Sequence, residues 1–167
     1  LVVIIGGVFL FSKGDTSSTA KTVPDTLLIP TDPYVTGGIS NGKFTPQSKE
    51  AKVTIVEFGD YQCPACGAYS PLVDKILTEF NGKVNLIFRN FPLPQHTNAN
   101  ITSYGAEAAG LQGKFWDMHQ KLYDSQAEWS DSSVAKDIIF RYATEMSLDI
   151  NKFKADIDSS TAEYPHR

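Results

Sequence analysis

The chain has 167 residues, 41% of them apolar and 20% charged, with a formal net charge of -4. That balance suits a single folded α/β domain of ordinary size preceded by non-core sequence, and it excludes the basic footprint of a nucleic-acid binder. No internal repeat, phosphate-cradling glycine loop or nucleophile elbow is present.

Residues 1–11, Leu1 to Phe11, form an uninterrupted apolar run that begins without methionine. Eleven residues are too few to cross a bilayer core, which takes about 20. The expectation is therefore a partial membrane anchor or the apolar part of a signal segment, with Ser18-Thr19-Ala20 as a small-residue cleavage site. An anchor implies export to an oxidising compartment, periplasmic or at the outer face of the cell membrane. Residues 12–43 are dense in Ser, Thr, Gly, Asp and Pro and carry no period that buries a face. They read as a flexible linker able to span roughly 30 Å.

The folded domain is expected over residues 44–167. Val53 to Phe58 is rich in β-branched and aromatic residues and reads as a buried strand ended by Gly59-Asp60. Tyr69, Leu72, Val73, Ile76, Leu77 and Phe80 recur at helical spacing, with Asn81-Gly82 as the stop signal. Val84 to Phe88 then reads as a second strand, completing a βαβ unit with parallel strands. Beyond it, helices are predicted over Ile101–Gln112, Phe115–Ser125, Ser132–Met146 and Ile150–Ile157, with Gly113 separating the first two and Asp131-Ser132-Ser133 capping the third. Phe115, Trp116, Met118 and Leu122 read as core, and His119 as a packing or hydrogen-bonding residue.

Cys63-Pro64-Ala65-Cys66 holds the only two cysteines and sits between the first strand and the first helix. Open α/β sheets place their chemistry at that carboxyl end. A helix amino terminus offers unpaired N–H groups and a partial positive charge, and cysteines so placed have pKa values lowered from about 8.5 to as little as ~3.5. Cys63 is thereby the expected nucleophile, and Cys66, one turn deeper, the resolving thiol. Pro64 falls in the first turn, where its missing N–H has no partner to lose. Closing so short a loop would constrain little chain entropy, roughly 2 kcal/mol, so a structural staple fits poorly. A zinc site needs about four ligands, whereas His96, His119 and His166 are scattered. The redox reading leads, with metal binding and an inert pair as alternatives.

The segment Glu57-Phe58-x-Asp60-Tyr61-x-Cys63-Pro64-x-Cys66, continuing through Phe88-Arg89-Asn90-Phe91-Pro92-Leu93 and Gly113 to His119, resembles the DsbA-like thiol-disulfide oxidoreductases of the thioredoxin superfamily. The likeness spans about Val53 to Phe153. It implies a thioredoxin-like fold with a helical insertion at about residues 98–158. It also implies Glu57 as a charged residue beneath the dithiol, suited to relaying a proton to or from Cys66; on chemistry alone a strand-end glutamate that reaches water is an equal reading. Pro71 matches the proline that bends the active-site helix. His96 falls in the loop leading into the insertion and is given no catalytic role.

What the resemblance implies about function is exchange of disulfides with exported protein substrates, without a cofactor. A membrane redox partner of the DsbB or vitamin K epoxide reductase type would reoxidise the dithiol. The residues between the cysteines tune reactivity; Ala65 adds no positive neighbour to the thiolate, so a less extreme oxidant is expected. A reductase or isomerase using the same dithiol, or a non-catalytic thiol-based metal-binding protein, are the rival readings. The family also carries a Thr or Val before a cis-proline facing the dithiol, then a hairpin and a last helix. No residues match these, since Pro165 alone follows Pro94, and the expectation is a chain truncated at both ends that lacks the carboxyl-terminal ββα half.

Overall fold

The computed structural model describes residues 2–3, 36–40, 43–46 and 48–163. Among them are five strands: β1 (Val2–Val3), β2 (Thr36–Ser40), β3 (Lys43–Pro46), β4 (Val53–Gly59) and β5 (Val84–Asn90). Helix α1 (Pro64–Glu79) joins β4 to β5. Helices α2 (Ala99–Gly110), α3 (Phe115–Asp124), α4 (Gln126–Trp129), α5 (Ala135–Glu145) and α6 (Ile150–Glu163) follow. The sheet runs in the order β1-β4-β5-β2-β3. β4 and β5 are parallel and in continuous register from Val53 opposite Val84 to Gly59 opposite Asn90, the βαβ unit that the sequence predicts. The fold is thioredoxin-like, with the helical block inserted after β5.

Three expectations need correction. Thr36–Ser40 and Lys43 lie in the stretch read as linker, yet they belong to an antiparallel hairpin whose first strand also pairs with β5. Ser40 pairs with Lys43, and the two residues between them in the sequence are Asn41-Gly42, the pair that two-residue hairpins favour. Second, β4 is not a buried strand. Val53 is exposed and Thr54 to Phe58 are half-buried, whereas Val84 to Phe88 of β5 are all buried. Among the described residues the outer edge of β4 pairs with Val2 and Val3, opposite Val56 and Glu57, and the outer edge of β5 with Thr36 and Gly37, opposite Ile87 and Leu86. Third, α5 begins at Ala135, not at Ser132, because the serine turn is used elsewhere. The Ser132 hydroxyl accepts the Val134 N–H and its carbonyl accepts the Asn98 amide. Of the run at residues 1–11 expected as a partial anchor or signal segment, Val2 and Val3 instead form a sheet strand beside β4; its other residues, residues 12–35 of the linker, and Pro165 lie outside the described residues.

The stripe on α1 is only partly used. Leu77 is buried and Val73 and Ile76 are half-buried, but Tyr69, Leu72 and Phe80 are exposed. Leu77 packs with Val84 and Leu86 in a small core. The larger core joins Phe88 and Tyr61 to the helical block, where Phe115, Met118, Leu122, Trp129, Ile139, Tyr142, Phe153 and Ile157 are fully buried. Trp116, half-buried, packs against both cores and ties the block to the sheet unit. Gly113 takes φ +74 where α2 gives way to α3, and Gly82 takes +73 after α1, conformations that other residues rarely adopt.

Small residues let α2 approach its neighbours closely. A Cβ on Gly105 would lie 2.7 Å from Cγ2 of the fully buried Ile139 on α5. Gly105→Ala should therefore destabilise the domain by about 1–3 kcal/mol through overpacking, against the gain of up to ~1 kcal/mol that alanine brings to a helix. Urea unfolding checks this; a midpoint equal to or above the parent's refutes it.

Candidate functional site

β4 ends at Gly59, and the next residue organises the turn that follows. The Asp60 side chain is buried at 2% exposure. Its Oδ1 accepts the Gln62 N–H at 2.8 Å, and its Oδ2 accepts the Leu93 N–H at 2.9 Å and meets His96 Nδ1 at 2.7 Å. Its carbonyl accepts the Cys63 N–H at 3.1 Å. One side chain thus ties the strand end and the dithiol turn to the loop after β5.

Cys63 is the N-cap of α1, with φ -68 and ψ 120, and Pro64 opens the helix. No side chain caps this helix and no acid lies in its first turn, so the thiol of Cys63 is the group placed at its positive end. Pro71 lies within the helix, as predicted. Both cysteines are half-buried free thiols. Cys66 packs against the larger core and lies close to Cys63. Burial, and then the nearness of Cys63 and Glu57, pushes the Cys66 thiol up to about 11, against the lowering effect of the Asp60 backbone N–H.

Glu57 is half-buried, and it is neither a water-facing strand end nor an ordinary acid. Desolvation, with Asp74 adding to it, pushes its carboxyl up to about 7. Behind the turn, the buried Tyr61 hydroxyl lies 3.0 Å from His119 Nδ1. Burial holds His119 down at about 3, so its ring is neutral and bonded to the tyrosine hydroxyl through Nδ1. His119 also meets the rings of Phe88, Trp116 and Tyr123 edge-on, in keeping with its expected packing role.

The helical block holds the turn through side-chain amides. Gln126 of α4 donates to the carbonyls of Tyr61 at 2.6 Å and Cys63 at 3.0 Å. Gly67 allows that approach, because a Cβ there would lie 2.6 Å from Gln126 Oε1. Gln62 donates to the Ser130 carbonyl and accepts the Asn98 N–H, both at 2.6 Å. Asn98 in turn donates to the carbonyls of Trp129, Ser130 and Ser132.

The structure therefore brings together every residue singled out from the sequence: Glu57, Cys63, Pro64, Ala65 and Cys66. Sequence reasoning missed the positions of Asp60, His96, Gln62, Gln126 and Tyr123. Asp60 had a local signal, an acid three residues before the N-cap Cys63; the others are 30 to 65 residues away or unremarkable in type. Among the described residues no group of three or more His, Cys, Asp or Glu side chains converges as a metal site would require.

Residues 47–164 match a family model described as Thioredoxin. Among curated proteins, the Na(+)/H(+) antiporter NhaA 1 of Mycolicibacterium vanbaalenii is 35% identical over 121 residues, covering 71% of this chain and 18% of that protein. The chain thus spans about a fifth of the length of the curated relatives it matches. Among solved structures, a thioredoxin-like oxidoreductase from Silicibacter pomeroyi DSS-3 is 28% identical with a TM-score of 0.54, covering 67% of this chain and 61% of that one. The thiol-disulfide exchange protein alpha-DsbA2 from Wolbachia pipientis shares the fold at 23% identity and a TM-score of 0.58, covering 78% and 62%. The match over residues 47–164, on a βαβ unit with its dithiol at the strand's carboxyl end and DsbA-like folds as structural neighbours, means that the chain belongs to the thioredoxin family.

Proposed function

We propose that this chain is a thiol-disulfide oxidoreductase that exchanges disulfides with exported protein substrates through Cys63 and Cys66, acting as an oxidant. One observation carries the reading: Cys63 caps the amino terminus of α1 with Cys66 one turn inside and close to it. In the oxidising direction a substrate thiolate attacks the Cys63 sulfur of the Cys63–Cys66 disulfide, and Cys66 departs as the thiolate and takes a proton. A second substrate thiolate then attacks the substrate sulfur of the mixed disulfide and releases the Cys63 thiolate. The substrate dithiol is oxidised and the enzyme pair reduced by the same two electrons.

Glu57 supplies and retrieves the proton on Cys66. It is the carboxyl beneath the dithiol that changes protonation near neutral pH. Pro64 presets the first turn and Ala65 leaves the thiolate without a charged neighbour, which supports a moderate oxidant. An extracytoplasmic location, where a quinone-linked oxidase of the DsbB or vitamin K epoxide reductase type would restore the disulfide, belongs to this reading through the family resemblance; the run at residues 1–11 does not carry it, because Val2 and Val3 pair with β4 in the sheet. Ion antiport is not part of this reading: the antiporter relatives share only the stretch that carries the dithiol.

Cys63→Ser should abolish exchange, whereas Cys66→Ser should accumulate a mixed disulfide when its Cys63 thiolate attacks a disulfide substrate and releases one substrate thiolate, both read by mass spectrometry and by the reduction of an insulin-like disulfide substrate. Persistence of exchange in Cys63→Ser would reject the mechanism. Redox equilibrium with glutathione tests the direction: a potential at or below about -270 mV would reject the oxidant assignment.

Glu57 also predicts a pH signature in stability. Its carboxyl sits at about 7 in the folded chain against an ordinary 4.5, so the folded state favours the protonated form. Its contribution is fully present below about pH 4.5 and is lost as the pH rises through 7. Glu57→Gln does not titrate, and relative to the parent it should gain roughly 2–3 kcal/mol between pH 4.5 and 8. Urea melts across that range check it; parallel profiles for the two proteins would refute the burial argument.

A further inference from the structure

A buried hydroxyl that the exchange mechanism leaves unused lies beside the dithiol. Tyr123 of α3 is 6% exposed, and its Oη has no hydrogen-bond partner among the described residues. Leaving such a group unpaired costs about 1–3 kcal/mol, and phenylalanine would pack the same ring without that penalty. The hydroxyl reaches the carboxyl end of β4, where a Cβ on Gly59 would lie 2.9 Å from it. Gly59 and Glu57 are two residues apart on one strand, so the tyrosine arrives on the face that carries the Glu57 side chain. Phe88, which pairs with Glu57, crowds the same place, its Cε2 being 2.4 Å from that Cβ position. Cys66 packs against the cluster that contains Tyr123. Glycine at 59 is what lets a hydroxyl from the helical block reach the strand end at all.

We propose that Tyr123 is a positioning residue for proton transfer at the dithiol: its hydroxyl donates a hydrogen bond, directly or through one water, to the Glu57 carboxylate and to Cys66 when it leaves as the thiolate. The inference rests on the thiol-disulfide reading above. The titratable groups near this hydroxyl are Glu57 on β4, Asp60 and Tyr61 in the turn, Cys66 on α1 and His119 on its own helix; Asp74 acts on Glu57, and Glu107 on Tyr61. Glu57, Tyr61, Cys66 and Asp60 all lie near enough to push the Tyr123 hydroxyl up beyond its burial effect, so it stays protonated and can only be a donor to an anion. Tyr61 is already engaged with His119, which leaves Tyr123 as the available hydroxyl. In the step itself, Cys66 leaves Cys63 with the sulfur electron pair and takes the proton of the Glu57 carboxyl, and Tyr123 stabilises the anion on either side of that transfer without giving up its own proton.

The test is Tyr123→Phe in the intact chain, with the rate at which dithiothreitol reduces the Cys63–Cys66 disulfide measured from pH 5 to 9 by tryptophan fluorescence. The inflection that belongs to Glu57 should move upward by at least about half a pH unit, since the carboxylate loses a donor, and the rate below it should fall ~3-fold. In a Glu57→Gln background the same substitution should change the profile less than twofold. The Tyr123→Phe urea midpoint should not fall at pH values below the Glu57 inflection, where the hydroxyl has no carboxylate to donate to, and should fall above it. A Tyr123→Phe profile that superimposes on the parent's, with an inflection that Glu57→Gln does remove, overturns this inference alone. A parent whose cysteine pair does not exchange at all overturns the thiol-disulfide reading, and the relay with it.

Discussion

A buried carboxyl at the end of a strand is the constraint on which the rest of this site depends. Asp60 holds no lysine or arginine; its oxygens are used by two backbone N–H groups and the His96 ring, and its own backbone meets both cysteines. Each of these bonds is modest, but losing the shared acceptor would strand several buried donors at once, at about 1–3 kcal/mol apiece. The geometry of Cys63 follows directly. With its N–H bound to the Asp60 carbonyl, the residue is held in an extended conformation at the moment the chain turns into α1, which is what leaves its sulfur at the helix end and not along its side.

The helical insertion does more than cover the sheet. Its amides reach the Tyr61 and Cys63 carbonyls of the dithiol turn, the second of which also accepts the Gly67 N–H, and two glycines, Gly59 and Gly67, let helical side chains come within contact of the strand end and of the first turn of α1. Sheet unit and insertion therefore share one buried polar network as well as the bridging Trp116, and networks of this kind fix a geometry more firmly than the separate bonds suggest.

The parts of the fold legible in the sequence are those fixed by local pattern: the β4-α1-β5 unit, the start of α1 at Pro64, and helices α2, α3 and α5 to within three residues at either end. The hairpin of β2 and β3 was hidden by composition, because Thr36-Gly-Gly-Ile-Ser carries too few apolar residues to look like a strand until β5 is there to pair with it. Helix α4 is too short to show a period, and its buried Trp129 is anchored by a bond to the Leu122 carbonyl that spacing cannot reveal. The same holds within the site. Cysteines and Glu57 are readable because the motif is contiguous, whereas Gln126, His96 and Tyr123 acquire their positions only through tertiary packing.

The environment under the dithiol favours neutral forms throughout: burial raises Glu57, Cys66 and Tyr61 and lowers His119. In such a medium no thiolate forms on Cys66 without a proton acceptor close by, and Glu57, poised near 7, is matched to the task. The nearness of Cys63 adds to the resistance of Cys66 in the reduced pair, both by its charge and by its sulfur's preference for a protonated neighbour. Once Cys63 is joined to a substrate sulfur, both of these effects are gone. Cys66 is then easier to ionise in the mixed disulfide, where the proposed cycle needs it as a nucleophile or leaving group, than in the resting dithiol, where an exposed second thiolate would serve nothing. The protonation state of one cysteine is in this way set by the bonding state of the other, and Glu57 with Tyr123 would need only to complete a transfer that the covalent change has already made easier.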